Sequence, residues 1–205
     1  KRIQRAGLQV QGGFIVGFDS DTPSIFQRQL EFIQTSGIVT AMVGMLQAIP
    51  GTKLYQRMNL QGRLLGLTSG DNVDGTTNFT PGMSLETLRE GYRGLMRHLY
   101  SPGPYYRRIR TFLLEYRPAS AAPSLNWRSV IAFVRASVRL GVFGSERFQY
   151  WRLLLWTSVH RPSLFALAVT FSIYGHHFRK TCRQLGWSGN ESGLRLQDRP
   201  MNAPW

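Results

Sequence analysis

The 205-residue chain carries 25 Lys/Arg against 11 Asp/Glu, a formal charge of +14, and 42% of its residues are apolar. That apolar share is enough for a packed core and excludes wholesale disorder. Its one cysteine, Cys182, excludes an intramolecular disulfide and any zinc or iron–sulfur site built from this chain's thiolates alone, and sets a reducing, cytosolic compartment as the expectation.

In chain order, residues 1–6 read as the end of an amphipathic helix closed by Gly7. A strand over 8–17 follows, in which Phe14, Ile15 and Val16 form the short apolar run of a parallel strand covered on both faces. Gly12, Gly13 and Gly17 remove side chains where another backbone or a flat ligand can approach. Asp19, Asp21 and Thr22 offer oxygens ahead of Pro23, which suits the first turn of a helix over 23–36. Ile25, Phe26, Leu30 and Ile33 fall on one side of that helix, and Gly37 is its stop. The β-branched and apolar run 38–48 reads as a second strand, so the segment is a right-handed βαβ unit with parallel strands. Ligands of α/β proteins gather at the carboxyl ends of such strands, which makes residues 17–22 the first candidate site.

Pro50-Gly51-Thr52 then breaks the chain, and a short helix through Leu54, Tyr55 and Met58 leads into a polar loop over about 66–81. Ser84 caps a predicted helix with Glu86 in its first turn and Leu85, Leu88, Tyr92, Leu95, Met96 and Leu99 as its apolar stripe. Ser101-Pro102-Gly103-Pro104 ends it. Later helices are expected over 105–116, 125–140, 146–159 and 162–183, with 117–123 as a linker and 184–205 as a flexible tail. The fold class is thus α/β followed by all-α. The chain opens mid-helix without methionine or signal peptide, and its longest apolar stretch, 164–174, is about half of a bilayer span. An internal or C-terminal piece of a longer protein is expected.

The strand Gly13-Phe14-Ile15-Val16-Gly17-Phe18, followed by Asp21-Thr22, resembles the adenine-side strand of radical S-adenosylmethionine enzymes. Pro50-Gly51-Thr52-Lys53-Leu54-Tyr55 is similar to the Pro-Gly-Thr-x-Leu-Tyr element of their cobalamin-binding branch. Further matches, among them Arg63-Leu64-Leu65-Gly66, Gly75-Thr76-Thr77-Asn78-Phe79, Gly91-Tyr92-Arg93, Tyr100-Ser101-Pro102, Tyr105-Tyr106 and 114–118, resemble the helical domain of unknown function that follows the barrel in this branch. Hopanoid methylases share that layout. The resemblance implies the last units of a partial TIM-type (β/α)6 barrel over 1–66 and the helical domain over 67–183. It implies S-adenosylmethionine, a [4Fe-4S] cluster and cobalamin as cofactors of the full-length protein, with methyl transfer or related radical chemistry on a lipid-like or other apolar substrate. Gly13, Ile15 and Gly17 would line the adenosine site, with Asp19 and Asp21 at the barrel mouth. The Cys-x-x-x-Cys-x-x-Cys cluster loop and the cobalamin domain are absent from this chain. It should be inactive alone, its first partner the missing N-terminal part of the same polypeptide.

Charge supplies the other candidates. Residues 1–104 hold ten Lys/Arg against seven Asp/Glu, and 105–205 hold fifteen against four, which suggests an anionic partner for the second half. Arg89, Arg93 and Arg97 recur every four residues, and Tyr105, Tyr106, Arg107, Arg108 and Arg110 follow; such a cluster can hold a phosphate or serve as a solvated face. Trp127, Tyr150, Trp151 and Trp156, interspersed with Arg128, Arg147, Arg152 and Arg161, fit either helices resting on the inner membrane surface or a bundle core. No metal site is read. His176-His177 point about 100° apart on a helix; His98 and His160 lack ligand partners in sequence; Cys182 reads as a small apolar residue. Asp71-Asn72-x-Asp74-Gly75 lacks the glutamate of a calcium loop. The alternative to an enzyme fragment is a non-catalytic basic helical module on an anionic membrane surface; nucleic acid is disfavoured, since no binding motif for it occurs.

Overall fold

A computed structural model describes residues 1–71, 74–118 and 127–186. Two parallel strands, β1 (Gln11–Val16) and β2 (Thr40–Met45), pair in register from Gln11 with Thr40 to Val16 with Met45. Helix α1 (Arg2–Arg5) precedes them, α2 (Ser24–Ser36) connects them, and α3 (Lys53–Leu60) follows. Then come α4 (Leu85–Tyr100), α5 (Pro102–Glu115), α6 (Trp127–Ala136), α7 (Arg147–His160) and α8 (Phe165–Gln184). Among the described residues the fold is therefore mixed α/β, a two-stranded sheet with eight α-helices.

The βαβ unit forms as its pattern predicts, but only one sheet face is covered. Phe14, Val16, Val43 and Met45 share the helix side, where Phe14 meets Phe32 of α2 edge-on with ring centroids 6.0 Å apart. Gly13, Ile15 and Met42 share the other, and Ile15 and Met42 are each 48% exposed. The expectation of two covered faces is corrected, because α2 and α4 pack on the same side.

The free edge of β2 is closed by side chains rather than by another strand. Leu46 N donates to Val16 O at 2.8 Å, so the carbonyls of Ala41 and Val43 face away from β1. Tyr92 Oη donates to Val43 O at 2.9 Å, and Tyr100 Oη donates to Ala41 O. Both tyrosines belong to the apolar stripe of α4, whose cap is the predicted one: Ser84 Oγ accepts from Thr87 N at 3.1 Å. The proline-rich break after α4 is tighter than predicted. Ser101 ends α4, its Oγ donating to His98 O at 2.8 Å, and also occupies the N-cap position of α5 without a side-chain bond to it. Pro102 follows at the first helical position, where its missing N–H has no consequence. The helix predicted over 125–140 is likewise corrected, since after Ala136 it continues as a π-helical turn over Ser137–Val142; residues 125 and 126 lie outside those described.

One apolar core runs from Val16 and Ile33 through α4 and α5 to Phe171 and Cys182 of α8. Two glycines permit its closest approaches. A Cβ at Gly91 would lie 2.1 Å from the Phe26 ring, and one at Gly175 would lie 2.2 Å from the ring of the fully buried Tyr105. Gly94, on the exposed side of α4, has open space around it. Gly175→Ala should therefore destabilise the chain by about 1–3 kcal/mol through overpacking. Gly94→Ala should stabilise it by about 0.5–1 kcal/mol through helix propensity. Urea unfolding midpoints of the two variants check both signs.

Candidate functional site

The loop at the carboxyl end of β1 is built by its own side chains. Gly17 has φ +101°, a conformation that glycine adopts without strain, and its Cα faces Leu88 of α4. Asp21 Oδ2 accepts from the backbone N–H groups of Gly17 at 2.9 Å and Phe18 at 3.0 Å, which folds the loop back on the strand end. This replaces its predicted service as a cap of α2, which has no side-chain cap. Asp19 bonds Arg63 through both carboxylate oxygens and Arg57 at 3.3 Å, tying α3 and the following turn to β1. The hydrogen bond from Arg63 holds the Asp19 carboxyl below its ordinary value, against a partial desolvation; the charges of Arg63 and Arg57 add to it.

The end of β2 is covered by the loop after α3. Asn78, 5% exposed, clamps Ala48 from both sides: its Oδ1 accepts from Ala48 N at 2.7 Å and its Nδ2 donates to Ala48 O at 2.8 Å. Gln47 Nε2 donates to Ser69 Oγ at 3.0 Å and Asp71 O at 3.1 Å, and its Oε1 accepts from Thr68 Oγ1. The Pro50-Gly51-Thr52 element has a local purpose, since Gly51 sits at φ +84° and Thr52 Oγ1 accepts from Tyr55 N at 3.2 Å as the cap of α3. Gln47 and Arg57 carry no local signal because their partners are remote in the chain, and Arg63 stands out only within its motif, without its bond to Asp19. Asn78 was visible only within its motif.

Gly13, Ile15 and Gly17 are thus brought together along β1, with Gly13 and Ile15 on the open face and Gly17 at its end. A Cβ at Gly13 would meet nothing within 4 Å, so this strand offers a flat, apolar strip of backbone. Asp19 and Asp21 stand beside it with their carboxylates occupied by the protein's own groups.

The arginine–tyrosine cluster does not assemble. Arg89, Arg93 and Arg97 lie on the exposed side of α4 and Arg107 on that of α5. Tyr105 points inward, fully buried, and donates to Phe171 O at 2.8 Å; burial pushes its phenol pKa above the ordinary range. Arg108 is also interior. The aromatic residues read as a membrane face divide similarly. Tyr150 is buried, Trp156 lies under Arg110 at 4.7 Å, and Arg161 donates to the Leu113, Leu114 and Tyr116 carbonyls that end α5. Trp127 and Trp151 remain exposed, and the Arg128 side chain lies outside the described residues. Among the described residues no helix is long and apolar enough to cross a membrane.

The remaining candidates are placed separately. Asp74 accepts from Thr76 N at 2.9 Å, and Asn72 lies outside the described residues. His160 stacks on Trp156 with ring centroids 5.1 Å apart. His176 Nδ1 lies 3.3 Å from Glu146 Oε1. Cys182 is buried in the core, and desolvation raises its thiol to about 11. No group of three or more His, Cys, Asp or Glu is arranged to hold a metal among the described residues.

Comparison with known proteins gives three matches. A family model described as a domain of unknown function (DUF4070) matches residues 52–188. A Synechocystis protein named as an uncharacterized methyltransferase is 33% identical over 207 residues, covering 96% of this chain and 37% of that protein. The hopanoid C-2 methylase of Rhodopseudomonas palustris is 25% identical over 163 residues, covering 76% of this chain and 30% of that protein. The chain thus spans about a third of the length of these relatives. No solved structure matches.

The carboxylates of the loop make separable predictions. Asp21→Ala should cost about 1–3 kcal/mol, because it orphans two backbone donors. Asp19 has a depressed folded pKa, so its stabilisation is complete above its unfolded value of about 4 and is lost as pH falls through the lower folded value. With the Asp19 side chain 38% exposed, that share is about 1 kcal/mol or less. Asp19→Asn should remove this part of the acid-induced loss; urea unfolding at neutral and acid pH measures it, and an unchanged acid limb would contradict the pairing.

Proposed function

The chain belongs to the DUF4070 family, and from that premise we propose that it supplies the last strands and the helical domain of a radical S-adenosylmethionine enzyme that methylates an apolar, lipid-like substrate. The names of the two relatives, an uncharacterized methyltransferase and a hopanoid C-2 methylase, support the class of reaction. The observation that carries the reading is the open strip of β1. Gly13 without a neighbour, Ile15 half exposed and the positive φ of Gly17 fit the flat face of an adenine, which needs close backbone approach and apolar cover.

The sheet's edges support the partial (β/α)6 barrel in this proposal. Tyr92 and Tyr100 occupy the outer carbonyls of β2, so further strands would add beside β1 and leave β2 last. The barrel portion would occupy 1–66 and the helical domain 67–183. Asp19 and Asp21 act as positioning residues, fixing the loop through Arg57, Arg63 and the Gly17 and Phe18 amides. The exposed Arg89, Arg93 and Arg107 are available to an anionic partner, a membrane surface included.

S-Adenosylmethionine, when bound beside a reduced iron–sulfur cluster, supplies the radical; the chain's own groups position it and exclude water. The cluster does not fit this chain, since the sole thiol, Cys182, is buried in the helical core and protonated. Its ligands would come from the preceding part of the same polypeptide. Cobalamin enters the proposal through the resemblance of the Pro50-Gly51-Thr52-Lys53-Leu54-Tyr55 element to the cobalamin-binding branch.

Gly13→Val separates binding from folding, because the added side chain enters open space on a strand that tolerates β-branching. In the full-length protein, the variant should keep the wild-type unfolding midpoint and bind S-adenosylmethionine at least about tenfold more weakly by calorimetry. Equal affinity would overturn the adenine assignment. A reading frame without Cys-x-x-x-Cys-x-x-Cys upstream of Lys1 would overturn the enzyme assignment.

A further inference from the structure

The helical half contains two cavities that share a wall, and neither includes a residue of the strand loop. The first, about 460 Å3, lies between α6 and α8 and is lined mainly by apolar side chains, among them Ile131, Ala132, Leu140 and Ile173. The second, about 470 Å3, opens between the π-helical turn, the start of α7 and α8, and is lined by Arg179, Lys180 and Arg183 together with Glu146 and Phe143. Arg139 and His176 line both. Each volume lies within the ~300–1,000 Å3 typical of small-molecule sites.

Charge in the second cavity is one-sided. Glu146, 2% exposed, is its only carboxylate among the described residues, and it is taken by an ion pair with Arg179. Arg139, Lys180 and Arg183 pair with no carboxylate among the described residues. Glu146 also favours a charged His176, but its charge is already balanced by Arg179. Burial first, then Arg139, Arg183 and Lys180, therefore lower the His176 pKa. The field of the three cations thus reaches the shared wall. Their mutual repulsion costs stability, and an anion would relieve it.

The shared wall is also where the helix geometry departs from regular. Phe143 N donates to Val138 O at 3.2 Å in the wide turn over Ser137–Val142, and Trp151 Nε1 donates to Gly141 O at 3.0 Å. Such π-turns are recurrent at functional sites, since they re-aim side chains within a helix. Here the turn carries Leu140, which lines the apolar cavity, next to Arg139, which lines both.

We propose that the two cavities together bind an anionic amphiphile, its hydrocarbon tail between α6 and α8 and its phosphate or carboxylate head among Arg139, Lys180 and Arg183. Apolar burial provides affinity for the tail, and the three cations select an acidic head over a neutral or cationic one. The site is independent of the adenine assignment.

Decyl phosphate, titrated into the full-length protein below its critical micelle concentration, tests the proposal by calorimetry. It should bind at least about tenfold more tightly than inorganic phosphate, decanol or decyltrimethylammonium. Two variants of exposed positions separate the parts: Arg139→Gln/Lys180→Gln removes head contacts, and Ala132→Phe fills the tail cavity. Each should weaken decyl phosphate binding at least about tenfold with an unchanged circular dichroism spectrum. Should either variant misfold, Arg183→Gln and Ala132→Val serve the same two purposes. Binding that both variants leave unchanged, or that decyltrimethylammonium matches, would overturn the site and indicate adsorption to the exposed apolar surface of α6 and α7. Inorganic phosphate binding as tightly as decyl phosphate would overturn the role of the tail cavity.

Discussion

The Arg108 side chain is 1% exposed, has no carboxylate partner among the described residues, and sits where three layers of the fold meet. From α5 its guanidinium donates to Gln34 Oε1 of α2 at 3.0 Å, to Leu99 O near the end of α4 at 3.0 Å, and to Val39 O just before β2 at 3.3 Å. The rings of Tyr105 and Tyr100 flank it, with centroids 5.1 and 5.9 Å from Cζ. Burial lowers its pKa, yet a guanidinium stays charged in a protein. A buried cation is tolerated only where fixed dipoles replace its hydration, so this contact requires all three partners in place at once.

The consequences spread in both directions. Toward the sheet, the bond to Val39 fixes the entry to β2, whose far edge the α4 tyrosines then close. Toward the helices, Tyr105 passes the constraint on by donating to Phe171 O of α8. The same α8 carries Arg179, whose guanidinium lies 5.6 Å from the Tyr105 ring and forms the ion pair with Glu146. The strand loop and the basic cavity are far apart in sequence, but one continuous core holds both.

Local signals in the sequence carried a good part of this. The βαβ unit followed from two apolar runs around an amphipathic helix, and α4 from its cap and stripe. The motif at 50–55 is physically a positive-φ turn followed by a helix cap. What could not be read is what depends on long-range partners. Arg107, Arg108 and Arg110 look alike in sequence, yet helical rotation sends Arg108 inward with Tyr105 and leaves Arg107 in solvent. The same rotation dissolves the arginine–tyrosine cluster that adjacency suggested. Whether one or both faces of β1 are covered depends on where α2 and α4 pack, which the apolar run itself does not specify. The pairing of Glu146 with Arg179, and the π-turn between α6 and α7, leave no local mark.

Native-state hydrogen exchange on wild type and Arg108→Met most directly tests whether strands and helices form one unit through Arg108. In wild type, the protected amides of β2 and α8 should open with one common free energy. In the variant both should fall together, by about 3 kcal/mol or more. Protection in α8 that persists while β2 loses its own would contradict the account, because the two layers would then be independently stable.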